Sequence, residues 1–425
     1  MSGFGTVQQP DLTSPLPQGE GTKNTAAVPP HVIQNRRNTT RNTMPYWRLS
    51  SFYLFYFASL GALLPYWSLY LQQRGFTALE IGELMAVLMA TRIVAPNLWG
   101  WLGDRTGRRM TVVRLGALLA ILSFGGVFLT RGYWELALVM FAFSFFWNAV
   151  LPQFETNTLV HLGEQHHRYS QIRLWGSIGF ILAVVGLGAL FDVTGPALLP
   201  VVLLCMFAAI WAASLTVPES GMARTTGGER PIGQVLRRPD VVALLVACLL
   251  MQASHGPYYT FFTIYMEDHG YTRTAIGQMW AIGVVAEVGL FLVMHRLLPR
   301  FGARGLLLAS FALASLRWAL TGLFPEVLWI VLPAQALHAA SFGIYHAAAI
   351  TLFHRHFAGR NHGRGQALYS SVTFGVGGAL GAWYSGVLWD SAGPVVAFLS
   401  AAALAGVAFF IAQRWIGDER LSASG

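Results

Sequence analysis

Between residues 47 and 416 the chain is a succession of apolar runs, each about 20 residues or longer, parted by short polar breaks. A run of that length in lipid must satisfy its own backbone N–H and C=O groups, and coiling into a helix does so. Twelve membrane-spanning helices are expected, at 47–72, 78–101, 109–129, 133–160, 169–191, 195–217, 238–266, 272–297, 304–323, 327–353, 363–388 and 394–416. Composition agrees. Hydrophobic residues make up 54% of the chain and charged ones 11%, with a mean hydropathy of +0.50, whereas soluble domains are about 25% charged. The reading is an all-α membrane protein; the alternative weighed is a very large obligate oligomer.

The longest polar gap, 218–237, divides the spans six and six. The expected organisation is a polar cytoplasmic tail (1–44), a six-helix bundle (45–217), a cytoplasmic linker (218–237), a second bundle (238–417) and a short tail (418–425). Residues 1–44 lack the apolar core of a signal peptide and read as a disordered tail. With the N-terminus inside, 22 of the 28 basic residues fall on the inner side. Three fall outside (Arg74, Arg131 and Arg273) and three within spans (Arg92, Arg173 and Arg317). Such asymmetry places both termini in the cytoplasm, in the inner membrane if the source is bacterial. It also removes nucleic acid as a partner, although the net charge is +9, because the charge is spread along one membrane face. Cys205 and Cys248 lie in apolar runs and read as packing thiols.

Shifted by 195 residues, the chain meets itself. Tyr70 falls on Tyr265, Gly75 on Gly270, Thr77 on Thr272 and Gly82 on Gly277. The decapeptide GWLGDRTGRR at 100–109 falls on the segment around HRLLPRFGAR, with Leu102 on Leu297, Arg105 on Arg300, Gly107 on Gly302 and Arg109 on Arg304. Two related six-helix halves are the architecture of transporters that rock about a site between repeats.

With these residues in view, GWLGDRTGRR resembles the signature loop between helices 2 and 3 of the major facilitator superfamily. The likeness covers about residues 45–417. IRLWGSIGF (172–180), GVVAEVGLF (283–291), LRWALTG (316–322), the run from Leu337 and GRGQALYSS (363–371) resemble the phenylpropionate permease branch, near the lactose permease and nucleoside–proton symporter branches. In the loop, Gly100 and Gly103 allow close helix approach, Gly107 turns the chain, and Arg105, Arg108 and Arg109 hold the loop inside. The resemblance implies that Asp104 latches onto the inner end of helix 11, whose start carries Arg360 and Arg364, when the inner gate is shut. The plainer alternative is a purely topological role.

Five ionisable side chains sit well inside spans: Arg92, Glu155, Arg173, Glu287 and Arg317. Each costs about 2.5–3.5 kcal/mol on insertion scales, so pairing or a polar cavity is expected. Glu155 and Arg173 flank the loop between spans 4 and 5 at similar depth and are expected to form a bidentate pair; by resemblance to the lactose permease they bind substrate, and otherwise they bridge two helices. Glu287 lies about 18 Å from the inner end. The resemblance gives it a part in proton coupling, with Arg173 as its nearest cation. Arg92 either takes an anionic substrate group or reaches backbone carbonyls.

Arg317 and His338 resemble the Arg and His of the lactose permease proton site, except that the Glu expected three residues after the His is Ser341 here. Proton carriage then falls to Glu287, His338 or both. His346 and His255 are substrate-site candidates or structural histidines. Phe180 stands where the lactose permease stacks a Trp on its sugar, which suits a flatter, aromatic ligand. Tyr66, Tyr258 and Tyr259 are candidate cavity aromatics. FGVGGALG (374–381) follows no strand and reads as a small-residue helix face. The histidines at 354, 356 and 362 have no nearby acid or cysteine, so no metal is expected, and no cofactor beyond a coupling proton. Three buried arginines against two glutamates fit an organic anion. The expectation is a monomeric secondary transporter for a small organic solute, working by proton symport of an aromatic carboxylate or, alternatively, of a sugar or nucleoside, or by drug efflux. A transporter-like sensor is a further alternative. An enzyme is not expected, since no nucleophile–base or metal constellation stands out.

Overall fold

A computed structural model describes residues 44–165, 168–220, 232–357 and 361–417. The expected tails, most of the linker (221–231) and Arg360 lie outside the described residues, apart from Met44 and the positions that border each stretch. Among the described residues the secondary structure is helical. Each expected span coincides with a rod: α1 (Tyr46–Gln73), α2 (Ala78–Thr106), α3 (Arg109–Phe128), α4 (Tyr133–Leu162), α5 (Tyr169–Thr194), α6 (Pro196–Thr216), α7 (Pro239–Asp268), α8 (273–301), α9 (303–323), α10 (Leu328–His356), α11 (361–392) and α12 (Pro394–Trp415). Among the described residues, nine continuous helical stretches are long and apolar enough to cross a membrane, counting α8 and α9 as one run parted at Gly302.

The repeat is visible in backbone geometry. Thr77 caps α2 by accepting from the Glu80 amide, and Thr272 caps α8 by accepting from the Ala275 amide. Gly107 and Gly302, which occupy matching positions, both take positive φ (68° and 71°). That conformation is costly for a residue with a Cβ, and it lets both chains turn where each second rod ends.

Among the described residues the apolar core forms, besides a small cluster around Trp99, two large ones. One is drawn chiefly from α1–α6, centred on Phe52, Trp67, Phe124 and Trp147; the other is drawn chiefly from α7–α12, centred on Phe262, Trp280, Phe311 and Trp318. The halves meet where α2 packs on α11, α5 on α8 and α1 on α7. The end bearing the α2–α3 loop is called the basic end below, and the opposite one the far end. At the far end the seam is tight enough to place backbone on backbone: a Cβ on Gly82 would meet the Ala382 carbonyl, and one on Gly277 the Val184 carbonyl. Elsewhere α4 packs on α2, α3 and α5, whereas α10 packs on α7, α8, α9 and α11, and α4 and α10 themselves share no substantial packing among the described residues.

Candidate functional site

The densest polar cluster lies within the second half. Arg317 on α9 is fully buried. Its Nε donates to the Ala334 carbonyl (3.0 Å) and its Nη1 to Ser341 Oγ (2.9 Å). Nη1 also lies 3.2 Å from His338 Nδ1. Since a guanidinium only donates, that imidazole nitrogen is the acceptor. In the neutral ring the proton then sits on Nε2, which lies 3.4 Å from Glu287 Oε2. A directed chain results, Arg317 to His338 to Glu287, whose carboxylate end is partly exposed at 19%. The guanidinium carbon packs 4.2 Å from the Tyr258 ring centroid and 4.3 Å from the Trp318 ring centroid, two rings that adjoin each other 5.5 Å apart. Ser341, standing where a second acid was expected by resemblance, supplies a hydroxyl acceptor instead.

Local backbone supports this cluster. Residues Ala339–Ile344 of α10 and Ser371–Gly377 of α11 are π-helical, a geometry common at functional sites. On α10 the rings of His338, Phe342 and His346 stack nearly parallel, with centroids 5.5 and 6.0 Å apart.

The first half presents arginines that are not consumed this way. Arg92 on α2 donates only through Nε, to Asn148 Oδ1 at 3.2 Å. Asn148 is itself fixed by donating to the Leu88 carbonyl and to Thr91 Oγ1. The two terminal nitrogens of Arg92 make no hydrogen bond among the described residues. Arg173 on α5 lies 3.6 Å over the Phe57 ring and 5.9 Å over Tyr53, likewise without a hydrogen bond among them. These groups are linked by electrostatic range across the seam, and the region they bound is called the shared space below. Arg92 is within electrostatic range of Tyr56 and, across the seam, of Tyr259. Tyr259 also senses Glu287 and Arg317, and His346 senses Arg173. Tyr259 further lines a crevice with Met85, Met89 and Gln252.

Several expectations are corrected. Glu155 and Arg173 form no ion pair; Glu155 accepts from Tyr169 (3.3 Å) because Arg173 is drawn onto the Phe57 face. Glu287 pairs with His338 rather than with Arg173. Tyr66 donates to the Val184 carbonyl at 2.6 Å, fully buried in the far-end seam, so it does not line the shared space. Tyr258 donates to Gln335 (3.1 Å) and serves as a wall for Arg317. His255 Nδ1 donates to the Met251 carbonyl at 2.8 Å, and the ring packs on Tyr259 and Trp318, fully buried. Phe180 packs at the seam with the second core cluster. In the loop, Asp104 pairs with Arg109 (2.6 Å), Arg105 stacks on Trp101, and Gly100 and Gly103 approach Gln153 of α4; the expected latch onto the start of helix 11 involves Arg360, which lies outside the described residues. Sequence reasoning missed Tyr56, Asn148, Gln252 and Gln335. A polar residue recurring in an apolar run was the available signal for the last three.

Two stacked helical cores, a seam between matching halves and ionised side chains gathered at that seam define a multi-pass membrane transporter. Residues 46–400 match the model of the MFS_1 like family, and the chain belongs to that family. It is similar to the "Probable 3-phenylpropionic acid transporter" of Escherichia coli (strain K12), 31% identical over 354 residues, covering 80% of this chain and 90% of that one. It is also similar to the maltose permease of Geobacillus stearothermophilus, 29% identical over 392 residues, covering 87% and 95% respectively. Among solved structures, the nucleoside transporter NupG superposes with a TM-score of 0.74 at 16% identity, covering 87% of this chain and 98% of that one. These relatives and neighbours are membrane transporters, not enzymes.

Proposed function

We propose that the protein carries a small organic anion, an aromatic carboxylate of the 3-phenylpropionate kind, in symport with protons by alternating access. Both termini would face the cytoplasm of a bacterial inner membrane, with the basic end inward. The observation that carries the reading is the pair of uncommitted guanidinium groups, Arg92 and Arg173, beside the Glu287–His338 couple. A buried cation with free N–H groups is costly and suits an anionic ligand that supplies the missing acceptors. Aromatic and thioether faces at Phe57, Tyr259, Met85 and Met89 suit a flat ring. The likeness to a protein named for 3-phenylpropionic acid supports the same choice.

In this reading substrate enters the shared space, its carboxylate bridges toward Arg92 and Arg173, and the proton rides on Glu287, with His338 holding the carboxyl through Nε2. Arg317 fixes the imidazole tautomer. The test is a thermal-stabilisation panel of 3-phenylpropionate, maltose and a nucleoside, followed by uptake into proteoliposomes under an imposed pH gradient. Stabilisation and gradient-driven uptake of the carboxylate are expected. Stabilisation by maltose or the nucleoside alone would overturn the substrate assignment.

A further inference from the structure

Two nine-residue segments share one pattern, GALFDVTGP at 188–196 and GVLWDSAGP at 386–394. They end α5 and α11, the rods that cross the seam at the far end. In each, the glycine lies against a carbonyl of the opposite half. A Cβ on Gly188 would meet the Arg273 carbonyl, and one on Gly386 the Ala78 carbonyl; Ala78 and Arg273 are the first residues of α2 and α8.

Four residues further on stands an aspartate, and each aspartate reaches across the seam. Asp192 accepts from the amides of Arg273 (2.8 Å) and Thr274 (3.0 Å) and from the Thr274 hydroxyl. Asp390 accepts from the amide of Leu79 at 2.8 Å. Leu79 and Thr274 are the second residues of their helices. The N–H groups of a first helical turn have no partner within the helix. Here they are shared out: Thr77 and Thr272 of the same chain segment take one amide each, and an aspartate of the other half takes others. The negative charge also sits on the positive end of the helix dipole. Arg273 adds a further strap, donating to the Phe191 carbonyl at 2.7 Å.

We infer that Asp192 and Asp390 are paired latches that hold the far end shut, each half capping a gating helix of the other. The inference rests on the alternating-access reading above. To open this end, α5 must part from α8 and α11 from α2. Both caps then break and the first-turn amides lose their acceptors. Because the bonds are exposed, water replaces them at modest cost, so the latches bias the equilibrium without locking it.

The experiment is a distance measurement by electron paramagnetic resonance in liposomes. Spin labels go on Leu198→Cys and Val327→Cys, both exposed at the far end in opposite halves, with Cys205→Ser removing the exposed native thiol. Each single Asp→Ala substitution is expected to raise the open-to-closed ratio about fivefold, and the double substitution about 25-fold. Asp192→Asn with Asp390→Asn keeps acceptors in place and is expected to shift the ratio less. A double alanine variant with the parent distance distribution would overturn the proposal. Binding of 3-phenylpropionate is measured on the same samples. Far-end opening without binding leaves the latches standing and sinks the substrate reading; binding with an unmoved distribution does the reverse.

Discussion

The two halves bury arginine in opposite ways. In the second half each nitrogen of Arg317 has a partner, among them a backbone carbonyl, a serine, a histidine and a glutamine, and two aromatic rings pack on its guanidinium. In the first half Arg92 spends one of its donors, on Asn148, and Arg173 spends none among the described residues, resting on an aromatic face. A cation whose partners are all built in belongs to the scaffold and positions its neighbours. A cation left with free donors in a low-dielectric seam is poised for something that arrives. The contrast teaches that depth in the membrane alone does not separate a ligand-binding charge from a structural one; the occupancy of its hydrogen-bonding groups does.

The contrast is broken most severely at Arg317. Arg317→Met leaves the Ala334 carbonyl, Ser341 and the His338 Nδ1 without that donor, and is expected to lower stability by about 1–3 kcal/mol for each buried acceptor left unsatisfied, read as a drop in unfolding temperature in detergent. Arg92→Met should do the converse. The unfolding temperature is expected to stay close to the parent value, while the Kd for 3-phenylpropionate in calorimetry rises about 10–100-fold, the worth of a hydrogen bond to a charged group. Glu287→Gln keeps a hydrogen-bonding partner for His338 but carries no proton. Accumulation in proteoliposomes, about tenfold per pH unit of gradient for one proton, is expected to fall to equilibration while exchange continues. The smallest effect is expected at Tyr66→Phe, which removes one buried hydrogen bond at the seam. It should cost about 1 kcal/mol of stability and leave substrate Kd unchanged; a large change in Kd would return Tyr66 to the binding site.

How much of this was legible beforehand follows from range. Helical rods, the repeat and the far and basic ends depend on local hydropathy and on glycines and threonines at fixed spacing, and they read off directly. The Arg317–His338 contact was also legible, through resemblance and two neighbouring spans. That Glu155 and Arg173 stay apart was not, because depth along two helices says nothing of rotation about them, and Phe57 on a third helix captures the guanidinium. Tyr66 failed for the same reason, its hydroxyl being taken by a carbonyl of α5. The aspartates at 192 and 390 carry no sequence signal of their role. Their partners are amides in the other half, more than 80 residues away, and no side-chain pattern announces a backbone donor.

One comparison tests the central claim that the uncommitted arginines recognise an anionic group. Isothermal titration of the purified protein with 3-phenylpropionate and with its neutral amide, 3-phenylpropionamide, is expected to show at least about tenfold tighter binding of the acid. In Arg92→Met that preference is expected to collapse. Equal binding of acid and amide by the unsubstituted protein would contradict the account.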